Sequence, residues 1–67
     1  MNNTPTNLER KVMELTCEQL TNKEIADRLG LGLRTIEKYK ENILIKFDLR
    51  NNVGIAMYAV QNGIYQF

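Results

Sequence analysis

Apolar residues recur along this chain with the period expected of helices buried on one side. Leu8, Val12 and Leu15 fall at i, i+4 and i+7, with Met13, Cys17 and Leu20 on the adjoining stripe. Glu9, Arg10, Lys11, Glu14 and Glu18 mostly fill the other side. Thr6 and Glu9 form a capping box, in which hydroxyl and carboxylate each satisfy a free backbone N–H. Together these signals predict a helix over 7–19. A second box, Thr21 with Glu24, opens a short helix over 22–29 whose inward residues are Ile25, Ala26 and Leu29. Gly30 is placed to end it in a left-handed conformation, and Gly30-Leu31-Gly32 reads as a tight turn with an apolar plug. The third helix, 33–47, carries a core stripe of Ile36, Ile43 and Phe47, flanked by Leu33, Tyr39 and Leu44. Lys40 projects close to that stripe, so its stem should lie over apolar surface. Asn51 is the N-cap of a fourth helix, 52–62, which Gly63 stops. No segment alternates with period two for long enough to be a strand. The fold class is therefore all-α, with residues 1–5 read as a flexible N-terminus and 6–67 as one domain.

Two short helices joined by a glycine-containing turn of about three residues make a helix-turn-helix when they cross steeply. Ala26 is small where the third helix must approach the second. Leu31 plugs the turn, and Ile25, Leu29 and Ile36 lock the pair together.

At these residues a family resemblance emerges. Thr21-Asn22-Lys23-Glu24-Ile25-Ala26, Leu29-Gly30-Leu31, Arg34-Thr35-Ile36-Glu37, Asn42-Ile43 and Lys46-Phe47 resemble the DNA-binding domain of the LuxR/FixJ family of bacterial transcription regulators. Leu49-Arg50-Asn51, Ala59 and Gly63 continue the match, which runs from about Thr6 to Ile64. The resemblance implies a four-helix domain whose third helix enters the major groove and whose fourth carries dimer contacts. Such a domain is usually the C-terminal output part of a longer protein, often a two-component response regulator. The chain departs from the family pattern at five positions. Gly32 stands where Ser or Thr usually caps the third helix, and Tyr39 stands where His is common. Gln19 and Asp48 stand where Gly is usual, and Asn52 replaces a frequent Arg.

Composition narrows the chemistry. The chain has 67 residues, no His and one Cys. No disulfide can form within it, and the commonest general base and zinc ligand is missing. No nucleophile–base pair or paired-carboxylate pocket is visible, so neither catalysis, metal nor cofactor is expected. No apolar run approaches the roughly 20 residues that cross a bilayer. No disulfide staples a domain this small, which points to the cytoplasm. Cys17 reads as a small core residue rather than a redox sensor.

The net charge of +1 makes no case for nucleic acid in bulk, but its placement does. Met1–Leu33 holds four basic and five acidic residues, while Arg34–Phe67 holds five basic and three acidic. The positive half thus contains the third helix. With Ile36, Ile43 and Phe47 facing inward, Arg34, Lys38, Glu41 and Ile45 point outward, flanked by Glu37 and Asn42. Donors and acceptors that can reach base edges are therefore present. On charge pattern alone, an ordinary solvated face would look the same. The resemblance favours DNA and places the usual base-reading positions at Glu37, Lys38 and Glu41. Thr35 belongs to the same motif. Glu37 and Glu41 either accept from cytosine or pair with nearby lysines. Lys23, at the start of the second helix, and Lys46, about 90° round from the reading face, suit phosphate contacts.

Val53, Met57, Val60 and Ile64 recur at i, i+4, i+7 and i+11 on the fourth helix, beside a second stripe of Ile55, Ala56 and Ala59. The second stripe suffices to seal a small core, so the first is expected to form a weak homodimer interface. The function expected is sequence-specific binding of double-stranded DNA in transcription regulation, with RNA polymerase a further candidate partner. The alternative is a protein-interaction module that uses the fourth-helix stripe on a helix-turn-helix scaffold.

Overall fold

The computed structural model describes residues 4–66 and contains four helices, with no strand among the described residues. They are α1 (Asn7–Cys17), α2 (Asn22–Leu29), α3 (Leu33–Lys46) and α4 (Asn52–Gln61). Met1, Asn2 and Asn3, most of the N-terminal segment expected to be flexible, lie outside the described residues. Both capping boxes form. Glu9 N–H donates to Thr6 Oγ1 at 3.2 Å and Thr6 N–H to Glu9 Oε1 at 2.9 Å. Thr21 and Glu24 repeat the exchange at 3.2 and 2.8 Å. Asn51 Oδ1 accepts from Gly54 N–H at 3.1 Å and caps α4. Gly32 offers α3 no side-chain cap.

All four helices end in the same way. A residue with positive φ follows each one: Gln19 (66°), Gly30 (70°), Asp48 (56°) and Gly63 (70°). The next residue is apolar, and its N–H returns to the carbonyl five positions back. The pairs are Leu20 to Leu15, Leu31 to Ala26, Leu49 to Leu44 and Ile64 to Ala59. This is the Schellman closure, which reverses the chain and turns the following side chain onto the helix it has left. Leu20, Leu31 and Leu49 pack against the core, and Ile64 lies within it.

Two of those four left-handed sites, Gln19 and Asp48, hold residues with a Cβ. The left-handed conformation costs an L-residue roughly 1–2 kcal/mol. Asp tolerates it better than Gln, because its short side chain can bond locally. Gln19→Gly is therefore expected to stabilise the domain by about 0.5–1 kcal/mol, after allowing for the extra freedom of unfolded glycine. In a domain of this size that should raise the thermal midpoint by about 2–8 °C. Asp48→Gly should gain less. Thermal unfolding followed by circular dichroism checks both, and a lower midpoint for Gln19→Gly would refute the account.

The core joins Val12, Met13, Leu15 and Cys17 of α1 to Ile25 and Ala26 of α2, Ile36 and Ile43 of α3, and Ile55 and Ala59 of α4. α1 packs chiefly on α4, and α2 on α3. Ala26 is buried, as a close approach of α2 and α3 requires. Thr16 is also buried, and its hydroxyl donates to Val12 O at 2.7 Å, so it needs no other partner. The Cys17 thiol is buried and its pKa is raised, first by burial and then by Glu14 and Glu18. A thiol held protonated in this way is a packing group. No helix among the described residues is long and apolar enough to cross a membrane.

Candidate nucleic-acid interface

α3 is pinned by one side and open on the other. Ile36 and Ile43 are fully buried. Arg34, Thr35, Glu37, Lys38, Glu41, Asn42 and Ile45 are all exposed. Arg34, Thr35, Lys38 and Asn42 line a shallow concavity of about 460 Å³ along the helix. Tyr39 completes its wall. Sequence periodicity placed Tyr39 beside the core stripe, and its ring is indeed half-buried against the core. One residue thus serves both packing and the open face.

Glu37 and Glu41 were expected either to accept from bases or to pair with neighbouring lysines. Among the described residues neither carries an ion pair, and Arg34 and Lys38 carry none either. The charged groups of this face therefore form no ion pair among the described residues.

The lysines around the face have separate fates. Lys40 is buried, with 8% of its surface exposed, as the stripe geometry predicts. Its ammonium lies 3.4 Å from Asn52 Oδ1, and burial pushes its pKa down. This contact gives a physical reason for Asn52, since an arginine there could only donate and would set a second cation beside Lys40. Lys23 lies 3.8 Å from Asp27 in an exposed pair one helical turn long. Such pairs are worth little, so Lys23 stays available at the N-terminus of α2.

Lys46 was expected to meet phosphate. Its ammonium is held inside the chain instead, 3.0 Å from Glu9 Oε1 and 3.5 Å from the Thr4 carbonyl, and it sits 5.3 Å from the centre of the Phe47 ring. Glu9, which its position in sequence placed among solvated charges, is only 7% exposed. Burial alone would raise its pKa. The Thr6 N–H and the Lys46 ammonium outweigh burial and hold the carboxyl below its ordinary value. The pair clasps the start of α1 to the end of α3.

A lowered folded-state pKa contributes stability above the unfolded value, and that contribution is lost as pH falls through the folded one. Lys46→Ala is therefore expected to cost about 1–2 kcal/mol near neutral pH, by stranding a buried carboxylate. The cost should shrink in acid, once Glu9 is protonated in both proteins. Urea unfolding of the two proteins at pH 7 and pH 3 measures this, and an equal cost at both values would contradict the clasp.

On α4, Val53 (66%), Met57 (57%) and Val60 (40%) are exposed. With Ala56 and Gln61 they line an almost wholly apolar groove of about 420 Å³. Ile64 does not continue this stripe. The expected i+11 position assumes that the helix runs on past Gly63, but the left-handed turn there sends Ile64 into the core, where it is 9% exposed. Ala56, expected in the core-sealing stripe, is only half-buried and lines the groove as well as packing against the core.

The family described as "Bacterial regulatory proteins, luxR family" matches residues 5–59. The chain is 44% identical over 48 residues to the C4-dicarboxylate transport transcriptional regulatory protein DctR of Rhodobacter capsulatus, covering 72% of this chain and 24% of that one. It is 36% identical over 56 residues to the DNA-binding transcriptional activator DevR/DosR of Mycobacterium tuberculosis, covering 84% and 26%. It is 34% identical over 59 residues to the uncharacterized response regulatory protein YgeK of Escherichia coli, covering 88% and 40%. The chain thus spans well under half the length of these relatives.

Proposed function

Because the chain belongs to the luxR family of bacterial regulatory proteins, we propose that it binds double-stranded DNA in transcription regulation, with α3 in the major groove and two copies meeting through α4. The observation that carries this reading is the open face of α3. A row of donors and acceptors stands there, with no ion pair among the described residues to occupy it.

Each group then has a role set by its chemistry. Arg34 and Lys38 donate to guanine O6 and N7, and Glu37 and Glu41 accept from cytosine N4. Asn42 suits adenine, and Thr35 either a base or a phosphate. Lys23, beside the N-terminus of α2, takes a backbone phosphate. Lys46 contributes to phosphate binding only if it releases Glu9. With Lys40 buried and Lys46 paired, the outward charge is modest, so one copy binds weakly. A second copy on a neighbouring half-site supplies the missing affinity.

A second reading is supported by the α4 groove, whose apolar lining suits a protein partner. In that reading the groove would take RNA polymerase or another regulator rather than a second copy. Gel-shift selection of genomic fragments tests the proposal. Fragments retained by the chain should share a short motif, preferably duplicated at one helical turn. Retention of fragments with no shared motif would overturn sequence-specific binding.

A further inference from the structure

The outward stripe of α3 has one apolar member. Ile45 is 73% exposed, while Ile36 and Ile43 of the same helix are fully buried. At 100° per residue, Ile45 falls within about 40° of Arg34, Lys38 and Glu41, opposite the core. It lies seven residues beyond Lys38, about 10 Å further along the helix axis. That is roughly three base-pair steps of 3.4 Å.

A single exposed isoleucine is common on protein surfaces. The place and shape of this one give it a use. Its side chain has neither donor nor acceptor, so the only distinctive feature it can recognise on a major-groove edge is the C5-methyl of thymine. Its β-branch leaves one strongly preferred χ1 in a helix. The methyl arms are therefore presented in one orientation before any contact is made, and little side-chain freedom is lost on binding.

Resting on the reading that α3 enters the major groove, we propose that Ile45 is a specificity-determining residue that packs on a thymine methyl about three base pairs from the pair read by Lys38. It extends base readout beyond the polar positions Glu37, Lys38 and Glu41.

The test uses this chain and its Ile45→Ala variant, which should fold because the residue is exposed. Both are put through selection from one random duplex library. The wild type should enrich a motif with an invariant thymine that the variant no longer requires. Replacing that thymine by deoxyuridine removes only the methyl. It should weaken wild-type binding roughly fourfold, the worth of one buried methyl group, and leave the variant unchanged. If both proteins enrich the same motif, or if deoxyuridine weakens both equally, Ile45 does not read the methyl. A uniform loss on every sequence would place Ile45 against a neighbouring copy instead, and would also overturn the proposal. If neither protein enriches any motif, DNA reading by α3 itself fails, and this inference with it.

Discussion

Met57→Asp is expected to leave all four helices intact and to abolish cooperative binding to DNA that carries two half-sites. Met57 is 57% exposed, whereas Ile55 and Ala59, two residues away on either side and so on the opposite face of α4, are fully buried and seal the core. The substitution therefore adds a charge to the groove without opening a cavity. A two-fold pairing presents the same patch on both copies, so Val53, Met57 and Val60 of one meet their counterparts on the other. Burying a methionine is worth about 1.5–3 kcal/mol per copy, or roughly one to two decades of affinity. The variant loses this twice and brings two carboxylates face to face. α4 has no basic residue to receive them. Half-sites about 34–36 Å apart should be filled cooperatively by the wild type and independently by the variant. Circular dichroism confirms the fold, and titration of one- and two-half-site duplexes measures the cooperativity. A folded variant that still binds cooperatively would move the interface away from α4. An unfolded one would make Met57 a core residue and contradict its exposure.

Lys38→Ala is expected to erase preference at one base pair, costing about 1–3 kcal/mol on the selected sequence and far less on random duplex. Lys38 is exposed on the wall of the α3 concavity, and among the described residues its ammonium forms no ion pair. Lys23→Ala provides the contrast. A residue that meets only phosphate should weaken all sequences alike and reduce the slope of log affinity against log salt by about one. Binding isotherms on specific and random duplex, each at several salt concentrations, separate the two roles. Equal losses for both variants on both duplexes would remove base reading from Lys38.

These two outcomes rest on different kinds of information. The sequence by itself determined the four helices, because capping and periodicity are local. Thr6 with Glu9, Thr21 with Glu24, and Asn51 each act within one turn of chain, and the observed helices begin where those residues place them. It also determined which side of α3 is open, since Ile36 and Ile43 fix the rotation of that helix. The family motif could be read for the same reason, as it lies within the second and third helices and the turn between them.

Tertiary structure decided where side chains go once the chain has reversed or another helix has come near. Ile64 lay on the α4 stripe in projection, but the left-handed turn at Gly63 places it in the core and ends the stripe at Val60. Lys46 and Glu9 are 37 residues apart, so no local rule could pair them, and the packing of α1 against α3 brings them to 3.0 Å. Lys40 and Asn52 meet through the approach of α3 to the start of α4. Periodicity reports the angle of a residue about its own helix axis. The partner that arrives from elsewhere in the chain is set by how the helices pack, and that decides which charges stay free for DNA.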